Sequence, residues 1–507
     1  MYDNNPLAYA LRQASINHGA AIFIHAHGER AAITYNEFFA NCEKMAAALV
    51  VAGLQPGERV AAQIEKTVTG LELYVGTVLA GGVFLPLNTA YTLTELDYFF
   101  TDAAPSVVIC DPDRKSAIAA MLIDQDVSVW SLAANESGDA RQLRDQQEAG
   151  FSAVARTDDD LGAILYTSGT TGQPKGAMLT HRGLVSNALT LQDAWQYSAN
   201  DCLIHALPIF HIHGLFVAIN ITLVAGASLN YMAKYQAQAV TDAMATSTVL
   251  MGVPTFYTRL LANDGFTANS VSNMRLFISG SAPLLAETHQ LFEARCGLRI
   301  LERYGMTETG MMSSNPYEGE RLAGTVGMPL PGISMRVANA ETGEVLAQGE
   351  SGVVEVKGPN VFKGYWNKPT KTAAEFRDDG YFITGDIGSF DEQGYLSIIG
   401  RAKDLIITGG LNVYPKEIES LLDKLEGVAE SAVIGVPHPD FGEAVVGILV
   451  SHDGNHPTDM VIMAQIKDRL ARFKQPKALF WVNELPRNAM AKVQKNLLRD
   501  QYADLFS

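Results

Sequence analysis

Short apolar runs alternate with longer amphipathic stretches through the first part of the chain. Short apolar runs between polar residues are typical of buried strands, whereas apolar residues three or four apart are typical of helices. Regular alternation of the two predicts an α/β fold with layered, largely parallel sheets. The predicted strands are 59–64, 107–110, 163–166, 248–251 and 276–279, and the clearest predicted helices are 35–51 and 287–296.

The pattern changes near Gly324. Gly-rich turns and short β-type runs follow, at 332–337, 352–357 and 395–399, and they predict a small β-barrel. Near Arg401 another set begins, with a helix at 415–425, strands at 432–436 and 444–450, a helix at 461–473 and a strand at 478–482. This set predicts a compact α+β unit of ordinary domain size. The predicted domains are a large N-terminal domain, residues 1–400, and a small C-terminal domain, residues 401–507.

Length and charge narrow the class of protein. The chain has 507 residues, more than one hydrophobic core usually supports, which agrees with two domains. Hydrophobic residues make up 47% and charged residues 18%, as in a globular protein rather than a disordered one. The formal net charge of −17 argues against nucleic acid or an anionic membrane as the main partner. Basic residues inside motifs therefore carry more weight.

The compartment is also predicted. The four cysteines are scattered without a CxxC pair, which favours a reducing compartment over disulfides or a zinc site. The N-terminus lacks a basic region before an apolar core. The most apolar stretches, 73–87 and 215–229, are interrupted by glycines or polar residues and fall short of the ~20 residues a spanning helix needs. We therefore expect a soluble cytoplasmic enzyme.

The run YTSGTTGQPKG, residues 166–176, is the most informative part of the chain. Its glycines let backbone N–H groups approach an anion, its hydroxyl residues add donors, and Lys175 supplies a positive charge. The run differs from a Walker A motif, in which Ser or Thr follows Gly-Lys. Its composition also occurs in polar surface linkers. Taken alone, the run leaves a polyphosphate-binding loop and a linker as alternatives.

Further motifs follow in order: LPIFHIHG (207–214), ISGSAP (278–283), ERYGMTETG (302–310), TGD (384–386), GRAKDLIITGG (400–410) and PRNAMAKVQK (486–495). Together with the loop, they resemble the motifs of the AMP-forming acyl-CoA synthetases. These belong to the adenylate-forming superfamily, which includes luciferases and the adenylation domains of peptide synthetases. The resemblance spans nearly the whole chain. It implies ATP, Mg²⁺ and coenzyme A as cofactors or co-substrates, and a small mobile C-terminal lid domain.

The resemblance assigns roles at the nucleotide. Tyr304 offers an aromatic face for adenine, Thr307 a hydroxyl near the α-phosphate, and Glu308, together with Thr170, a ligand for Mg²⁺, which prefers oxygen donors. Asp386 would accept hydrogen bonds from the ribose hydroxyls, with Arg401 as its cationic partner. The full set of predicted ATP-binding residues is Thr167, Ser168, Gly169, Thr170, Thr171, Gly172, Lys175, Ser281, Ala282, Glu302, Tyr304, Gly305, Met306, Thr307, Asp386 and Arg401.

The C-terminal domain contributes a predicted catalytic lysine. Lys492 would act with Thr307 and Glu308, bridging the attacking carboxylate and the α-phosphate to stabilise the transition state. The family normally has glycine before this lysine, whereas this chain has Ala491. Lys403 stands at the family's hinge position, and Gly409 and Gly410 (from the same motif) would line the pantetheine tunnel. Lys492 also resembles a lysine that protein acetyltransferases modify in related synthetases, so an acetyltransferase and a deacetylase are predicted partners.

Two arginines suggest which acid is activated. Arg303 directly precedes Tyr304, and Arg259 follows a loop that helps wall the acyl pocket in relatives. A guanidinium matches a carboxylate, so two of them facing the pocket predict a dicarboxylic acid. Within the family the resemblance is closest to the malonyl-CoA synthetases, which carry arginines at these positions. His211 and Ser281 are the predicted polar neighbours, and His213 is interpreted as a satisfied core residue.

The sequence therefore predicts a ligase that joins malonate to coenzyme A through an acyl-adenylate. Methylmalonate is a second candidate, because one methyl group changes binding by only ~1–3 kcal/mol. One alternative is a ligase for short- or medium-chain monocarboxylic acids, or an adenylation enzyme that loads a carrier protein. Another is a nucleotide sensor that has lost the chemistry. For the two arginines, ion pairs to acidic residues of the N-terminal domain are the competing interpretation.

Overall fold

The computed structural model describes residues 2–26, 30–167, 174–408, 411–452, 454, 456–467, 469–488 and 492–506. The chain divides into two compact units. Unit 1 comprises Met1–Ser334 and Val356–Phe382, and unit 2 comprises Met335–Glu355 and Ile383–Ser507. Each unit therefore consists of two separate stretches of the chain, whereas the prediction has one domain boundary, between residues 400 and 401. That boundary and the lid role of the C-terminal domain stay predictions.

The helices are short to medium in length, and polar residues at their N-termini often cap them. The longest, α2, begins with a capping box in which Thr34 and Glu37 satisfy each other's backbone N–H groups. In the described part of the chain the α-helices are α1 (Pro6–Gln13), α2 (Tyr35–Val51), α3 (Val68–Leu79), α4 (Leu93–Ala103), α5 (Pro112–Met121), α6 (Asp139–Asp145), α7 (His181–Ala194), α8 (Ala218–Ala225), α9 (Ala237–Ala243), α10 (Pro254–Leu261), α11 (Ala286–Cys296), α12 (Pro369–Ala374), α13 (Pro415–Leu422), α14 (Asp459–Ile466) and α15 (Lys495–Gln501).

The strands are mostly four to seven residues long, and several of those inside unit 1 are buried along their whole length. Across the residues that the structure describes they are β1 (Ile22–Ile24), β2 (Ile33–Thr34), β3 (Arg59–Gln63), β4 (Val83–Pro86), β5 (Val107–Cys110), β6 (Ser128–Ser131), β7 (Leu161–Thr167), β8 (Lys175–Thr180), β9 (Cys202–His205), β10 (Ser228–Tyr231), β11 (Val249–Gly252), β12 (Leu276–Ser279), β13 (Ile300–Met306), β14 (Gly310–Ser314), β15 (Met328–Pro329), β16 (Ser334–Ala338), β17 (Gly352–Lys357), β18 (Phe382–Phe390), β19 (Leu396–Arg401), β20 (Ile406–Thr408), β21 (Leu411–Val413), β22 (Val428–His438), β23 (Gly442–Ser451) and β24 (Ala478–Val482).

Unit 1 contains two large sheets. The first has the order β6-β5-β3-β4-β7-β8, with parallel pairing from β6 to β7 and an antiparallel hairpin at β7–β8. The second has the order β15-β14-β13-β12-β11-β9-β10-β1-β2, and its central strands are parallel. Helices connect successive parallel strands, as the sequence pattern predicts. The carboxyl ends of β12 and β13 lie side by side, which places the motifs that follow them close together.

Unit 2 contains most of a four-stranded sheet, β16-β17-β18-β19, in the region where a small barrel is predicted. A second sheet has the order β21-β20-β23-β22, with β24 parallel to β23. Its two longest strands, β22 and β23, extend beyond the predicted ranges 432–436 and 444–450 because they form one continuous antiparallel pair. Apolar side chains of α13 and α14 cover this sheet on one side.

Long apolar stretches pack inside unit 1. The helix α3 is buried along its whole length, which explains the apolar run after residue 67. Among the described residues no helix is both long and apolar enough to cross a membrane.

One charged pair is buried between helices. The guanidinium of Arg144 bonds the carboxylate of Glu72, which also accepts a hydrogen bond from Asn41 at 2.9 Å. Glu72 and Arg144 are 2% and 5% exposed. Removing one partner would leave an uncompensated buried charge.

We therefore expect Arg144→Met to lower the free energy of unfolding by about 3–5 kcal/mol. The matched control is Arg299→Met, which breaks the exposed ion pair to Glu293 and is expected to change little. Urea denaturation followed by tryptophan fluorescence measures both. Equal losses in the two variants would contradict the assignment of Arg144 as a buried structural charge.

Candidate active site

The hairpin β7–β8 brings the two ends of the predicted phosphate loop together. Thr167 and Lys175 are direct partners across the hairpin. The hydroxyl of Tyr98 donates to the carbonyl of Pro174 at 2.6 Å and so fixes the second end. The middle of the loop, Ser168, Gly169, Thr170, Thr171 and Gly172, lies outside the described residues. The structure thus fixes the position of both ends of the loop.

A network of charged and polar side chains lies beside the two ends of the loop. The ammonium of Lys175 is 3.2 Å from Oε1 of Glu375 and 4.0 Å from the ring centre of Tyr365. The Tyr365 hydroxyl is 2.7 Å from Oε2 of Glu375 and 3.0 Å from Oε1 of Glu308. The Thr167 hydroxyl is 3.4 Å from the same Glu308 oxygen. Two predicted ATP-binding residues, Thr167 and Lys175, therefore lie in one network with the predicted metal ligand.

The side chain of Glu308 is buried away from solvent. It is 5% exposed, and burial raises the pKa of its carboxyl above the ordinary value. Within the described residues no group of three or more His, Cys, Asp or Glu side chains could hold a metal by itself. Mg²⁺ often takes one or two protein carboxylates and completes its shell with phosphate oxygens and water. A single carboxylate beside a phosphate loop fits that requirement, with Thr170 outside the described residues.

The motif ERYGMTETG forms the tight turn between β13 and β14. A Cβ at Gly305 would overlap the carbonyl oxygen of Gly310, so the two strands can approach only with glycine there. The side chains of Asn187 and Asn360 bond the backbone of Met311 and hold the turn from outside. This turn positions Glu308 and the half-buried residues before it, namely Tyr304, Gly305, Met306 and Thr307.

Glu302 has a structural contact that its predicted role does not mention. Its carboxylate accepts a hydrogen bond from the backbone N–H of Leu284 at 3.1 Å. This bond fixes the loop that contains Ser281 and Ala282 against β13. Glu302 therefore has a structural role, which is to hold this loop in place.

Arg303 is the most unusual residue of the site. It is 3% exposed, and among the described residues its Nε and Nη2 have no hydrogen-bond acceptor. Burial lowers its pKa to about 9, so the guanidinium is still charged at neutral pH. It packs directly on Gly280, where a Cβ would overlap the guanidinium. A buried cation with unused donors is a site prepared for an anion.

Polar neighbours surround this guanidinium. Nδ1 of His213 is 3.2 Å from the hydroxyl of Ser281. In the part of the chain that the structure describes, Nε2 of His213 and the hydroxyl of Ser279 also lack partners. Burial holds the pKa of His213 well below its usual value, and the charge of Arg303 lowers it further. The ring is therefore neutral and can donate one hydrogen bond to an acceptor in the pocket.

The interpretation of His213 as a satisfied core residue holds for its burial but not for all of its polar atoms. The ring is buried and its Nδ1 is 3.2 Å from the Ser281 hydroxyl, but among the described residues its Nε2 has no hydrogen-bond partner. His211, predicted instead, is half-buried and accepts a hydrogen bond from the backbone N–H of His213 at 3.4 Å. The π-helical turn His213–Val217 sets this arrangement, and such turns are frequent at functional sites.

Arg259 differs from Arg303. It lies near the end of α10 and is exposed to solvent. The argument from a buried guanidinium therefore applies to Arg303 and fails for Arg259. A role for Arg259 at the acid stays a prediction.

The predicted residues of unit 2 form a second group. Asp386 on β18 pairs with Arg401 on β19, and the carboxylate and guanidinium are 3.2 Å apart. Lys403 follows in a short 3₁₀ turn, where burial lowers the pKa of its ammonium. Lys492 is exposed, and its carbonyl accepts a hydrogen bond from the backbone N–H of Asn488 at 2.9 Å. Gly409, Gly410 and Ala491 lie outside the described residues.

Five residues of the site escaped prediction from sequence, namely His213, Ser279, Gly280, Tyr365 and Glu375. Gly280 belongs to a quoted motif, and its close approach to Arg303 is a reason for glycine there. Tyr365 and Glu375 lie outside every quoted motif. These two residues can be recognised only from the structure. Tyr365 contacts Glu308, which is 57 residues away in sequence, and Glu375 contacts Lys175, which is 200 residues away.

The chain matches two family models. Residues 11–366 match that of the AMP-binding enzyme, and residues 417–492 match that of the AMP-binding enzyme C-terminal domain. The first match alone covers more than half of the chain.

Individual relatives agree with these matches. The chain is 35% identical to a malonate–CoA ligase of Arabidopsis thaliana, over 84% of this chain and 75% of that protein. It is 32% identical to a long-chain-fatty-acid–CoA ligase of Bacillus subtilis, over 98% and 95%. Among solved structures, the crystal structure of ATP-bound MatB from Rhodopseudomonas palustris has a TM-score of 0.97 and 53% identity, covering 99% of this chain and 100% of that one.

Backbone strain at Ser281 allows a test of the pocket loop. Ser281 has a φ of 71°, a left-handed conformation that is unfavourable for residues with a Cβ by roughly 1–2 kcal/mol. We expect Ser281→Gly to be more stable than Ser281→Ala by about that amount, since only glycine relieves the strain. At Ser279, on the regular strand β12, the order should reverse. Urea denaturation measures all four variants, and the same order at both positions would contradict the strain.

Proposed function

The chain belongs to the AMP-binding enzyme family, and on that premise we propose that it joins malonate to coenzyme A. In the first half-reaction a malonate carboxylate oxygen attacks the α-phosphorus of ATP and pyrophosphate leaves, giving malonyl-AMP. In the second, the thiol of coenzyme A attacks the acyl carbon, loses its proton and displaces AMP. The product is malonyl-CoA.

Arg303 is the single observation that carries the choice of acid. A dicarboxylic acid leaves one carboxylate free after adenylation, and that group would pair with the buried guanidinium. A monocarboxylic acid would leave the cation unpaired in a dry pocket, which is unfavourable. Sequence identity to these two relatives is a weaker guide to the acid, because the relative named for malonate and the relative named for long-chain fatty acids are about equally similar to this chain.

Polar atoms around Arg303 complete the proposed acid site. His213 and Ser281 provide a hydrogen-bonded pair, and Ser279 contributes a further hydroxyl. These groups would orient the bound acid so that its second carboxylate meets the nucleotide. Because one methyl group typically changes binding by only ~1–3 kcal/mol, methylmalonate is a further proposed substrate.

The nucleotide would lie along β7–β8 and the turn after β13. Lys175 and the loop N–H groups would bind phosphate oxygens, and Tyr304 would contact the base. Glu308 and Thr170 would hold Mg²⁺, which, when bound, offsets phosphate charge. Asp386 would accept hydrogen bonds from the ribose, with Arg401 as its partner.

Lys492 is the proposed cation of the first half-reaction, and Lys403, Gly409 and Gly410 the proposed hinge and pantetheine channel. The exposed ammonium of Lys492 would stabilise the negative charge that develops between the acid and the α-phosphate. Its exposure is also compatible with the predicted acetylation by a protein acetyltransferase. The acetylation and the cytoplasmic location remain predictions.

The alternatives are less well supported. A monocarboxylate ligase has no use for the unpaired donors of Arg303, and a carrier-loading enzyme would use them only if its acid were dicarboxylic. A nucleotide sensor without chemistry has no need for an acid pocket that combines strained backbone with a buried cation.

The dicarboxylate assignment predicts a selective loss. We expect Arg303→Ala to reduce malonate-dependent ATP–pyrophosphate exchange by about 30-fold or more, because a buried ion pair is lost. Acetate-dependent exchange should change little, and it also reports that the variant is folded. Arg141→Ala is the matched control for an exposed arginine of the same unit. Equal losses for malonate and acetate would reject the role of Arg303.

The lysine assignment predicts a loss confined to one half-reaction. We expect Lys492→Ala to slow malonyl-AMP formation by about 100-fold or more, because charge stabilisation in the transition state is lost. Formation of malonyl-CoA from synthetic malonyl-AMP should be nearly unchanged. Lys467→Ala, an exposed lysine of the same unit, is the control. Equal slowing of both half-reactions would contradict the assignment.

A further inference from the structure

One hydroxyl in unit 1 lies between two carboxylates. The Tyr365 oxygen is 2.7 Å from Glu375 and 3.0 Å from Glu308, both within hydrogen-bond distance. A phenol has one proton and can donate to one carboxylate at a time. Burial, together with the two carboxylates, raises the pKa of this phenol, so it keeps its proton at neutral pH. The two acids therefore compete for one donor.

Two lysines determine how strongly Glu375 competes for the Tyr365 hydroxyl proton. Its Oε1 is 2.8 Å from the ammonium of Lys371 and 3.2 Å from that of Lys175. Burial would raise the pKa of Glu375, but the hydrogen bonds from Lys371 and Tyr365 and the charge of Lys175 outweigh it and hold the pKa low. Glu308 has weaker additional support, from its own backbone N–H, from the more distant charge of Lys175 and from a Thr167 hydroxyl at 3.4 Å. With Lys175 in place, Glu375 needs the phenol least.

Lys175 is also the cation at the end of the proposed phosphate loop. An ammonium that turns to a phosphate lengthens its contact with Glu375. Glu375 then keeps Lys371 and the phenol as its remaining donors, and its demand for the phenol proton rises. The position of Lys175 is in this way linked to the hydrogen bond that Glu308 receives.

We propose that Tyr365, whose hydroxyl is shared between the two carboxylates, gives up its contact with Glu308 and donates to Glu375 alone when Lys175 turns from Glu375 to a nucleotide phosphate. The transfer leaves Oε1 of Glu308 available to a divalent cation at the moment the phosphates arrive. Tyr365 is thus a positioning residue that couples phosphate binding to the metal ligand. This rests on the proposed binding of ATP.

A double-mutant cycle on ATP affinity tests the coupling. Isothermal titration calorimetry with Mg²⁺ in excess would compare the wild type, Tyr365→Phe, Lys175→Met and the double variant. We expect Tyr365→Phe to weaken ATP binding about tenfold when Lys175 is present and less than twofold when it is replaced. Equal effects in the two backgrounds would overturn the proposal.

Two controls separate the coupling from general damage. AMP lacks the β- and γ-phosphates, so its affinity should be the same for the wild type and Tyr365→Phe. Tyr35→Phe removes a buried tyrosine hydrogen bond, to the carbonyl of Ala227, elsewhere in unit 1, and it should leave ATP affinity unchanged. A parallel loss of AMP affinity in Tyr365→Phe would indicate a distorted pocket and reject the coupling.

Crystal structures with and without a non-hydrolysable ATP analogue test the direction of the transfer. In the complex, the distance between Tyr365 Oη and Glu308 should exceed 3.5 Å, the limit for a hydrogen bond, while the distance to Glu375 remains short. A lengthened bond to Glu375 instead would overturn the proposal. If the wild type binds no ATP, the proposed function fails; if it binds ATP but the cycle is additive, only the coupling fails.

Discussion

The buried charge of Arg303 is the constraint on which the acid pocket depends. A guanidinium in a dry interior is stable only if an anion joins it or if nearby groups share its donors. Here the surroundings give it a flat glycine surface at Gly280 and a neutral histidine rather than a carboxylate partner. The protein thus keeps a buried cation whose ion pair the proposed dicarboxylic acid would complete, and the strained Ser281 loop and the bond from Leu284 to Glu302 hold that geometry.

Close backbone approach is the second theme of the site. Gly305 and Gly280 each occupy a place where a Cβ would overlap a neighbouring atom, the first a carbonyl and the second the guanidinium. The first allows the tight turn that presents Glu308, and the second allows Arg303 to lie flat in its pocket. The first follows from the antiparallel pairing of β13 with β14, and the second from the parallel pairing of β12 with β13, which brings the loop after β12 beside Arg303.

Much of the fold could be predicted from sequence because local patterns determine it. Helix α2 and strands β5, β12 and β24 have the predicted bounds, since each is a simple apolar or amphipathic segment with clear ends. The strands β22 and β23 are longer than predicted, because pairing between them extends each one into polar sequence. Arg303 was identified from its type and place in a motif. Its burial, the exposure of Arg259 and the bridging role of Tyr365 depend on contacts between distant segments, which no local pattern records.

Strand register gives β13 a further property. Glu302 and Arg303 are neighbours on this strand, and their side chains point to opposite faces. The parallel pairing of Ser279 with Glu302 determines which of them enters the cavity. A one-residue shift of β13 towards its carboxyl end would put Glu302 in the place of Arg303 and present an acid where a base now stands. A single insertion between α11 and β13 is therefore one short evolutionary step by which this scaffold could come to select amines or other positively charged compounds.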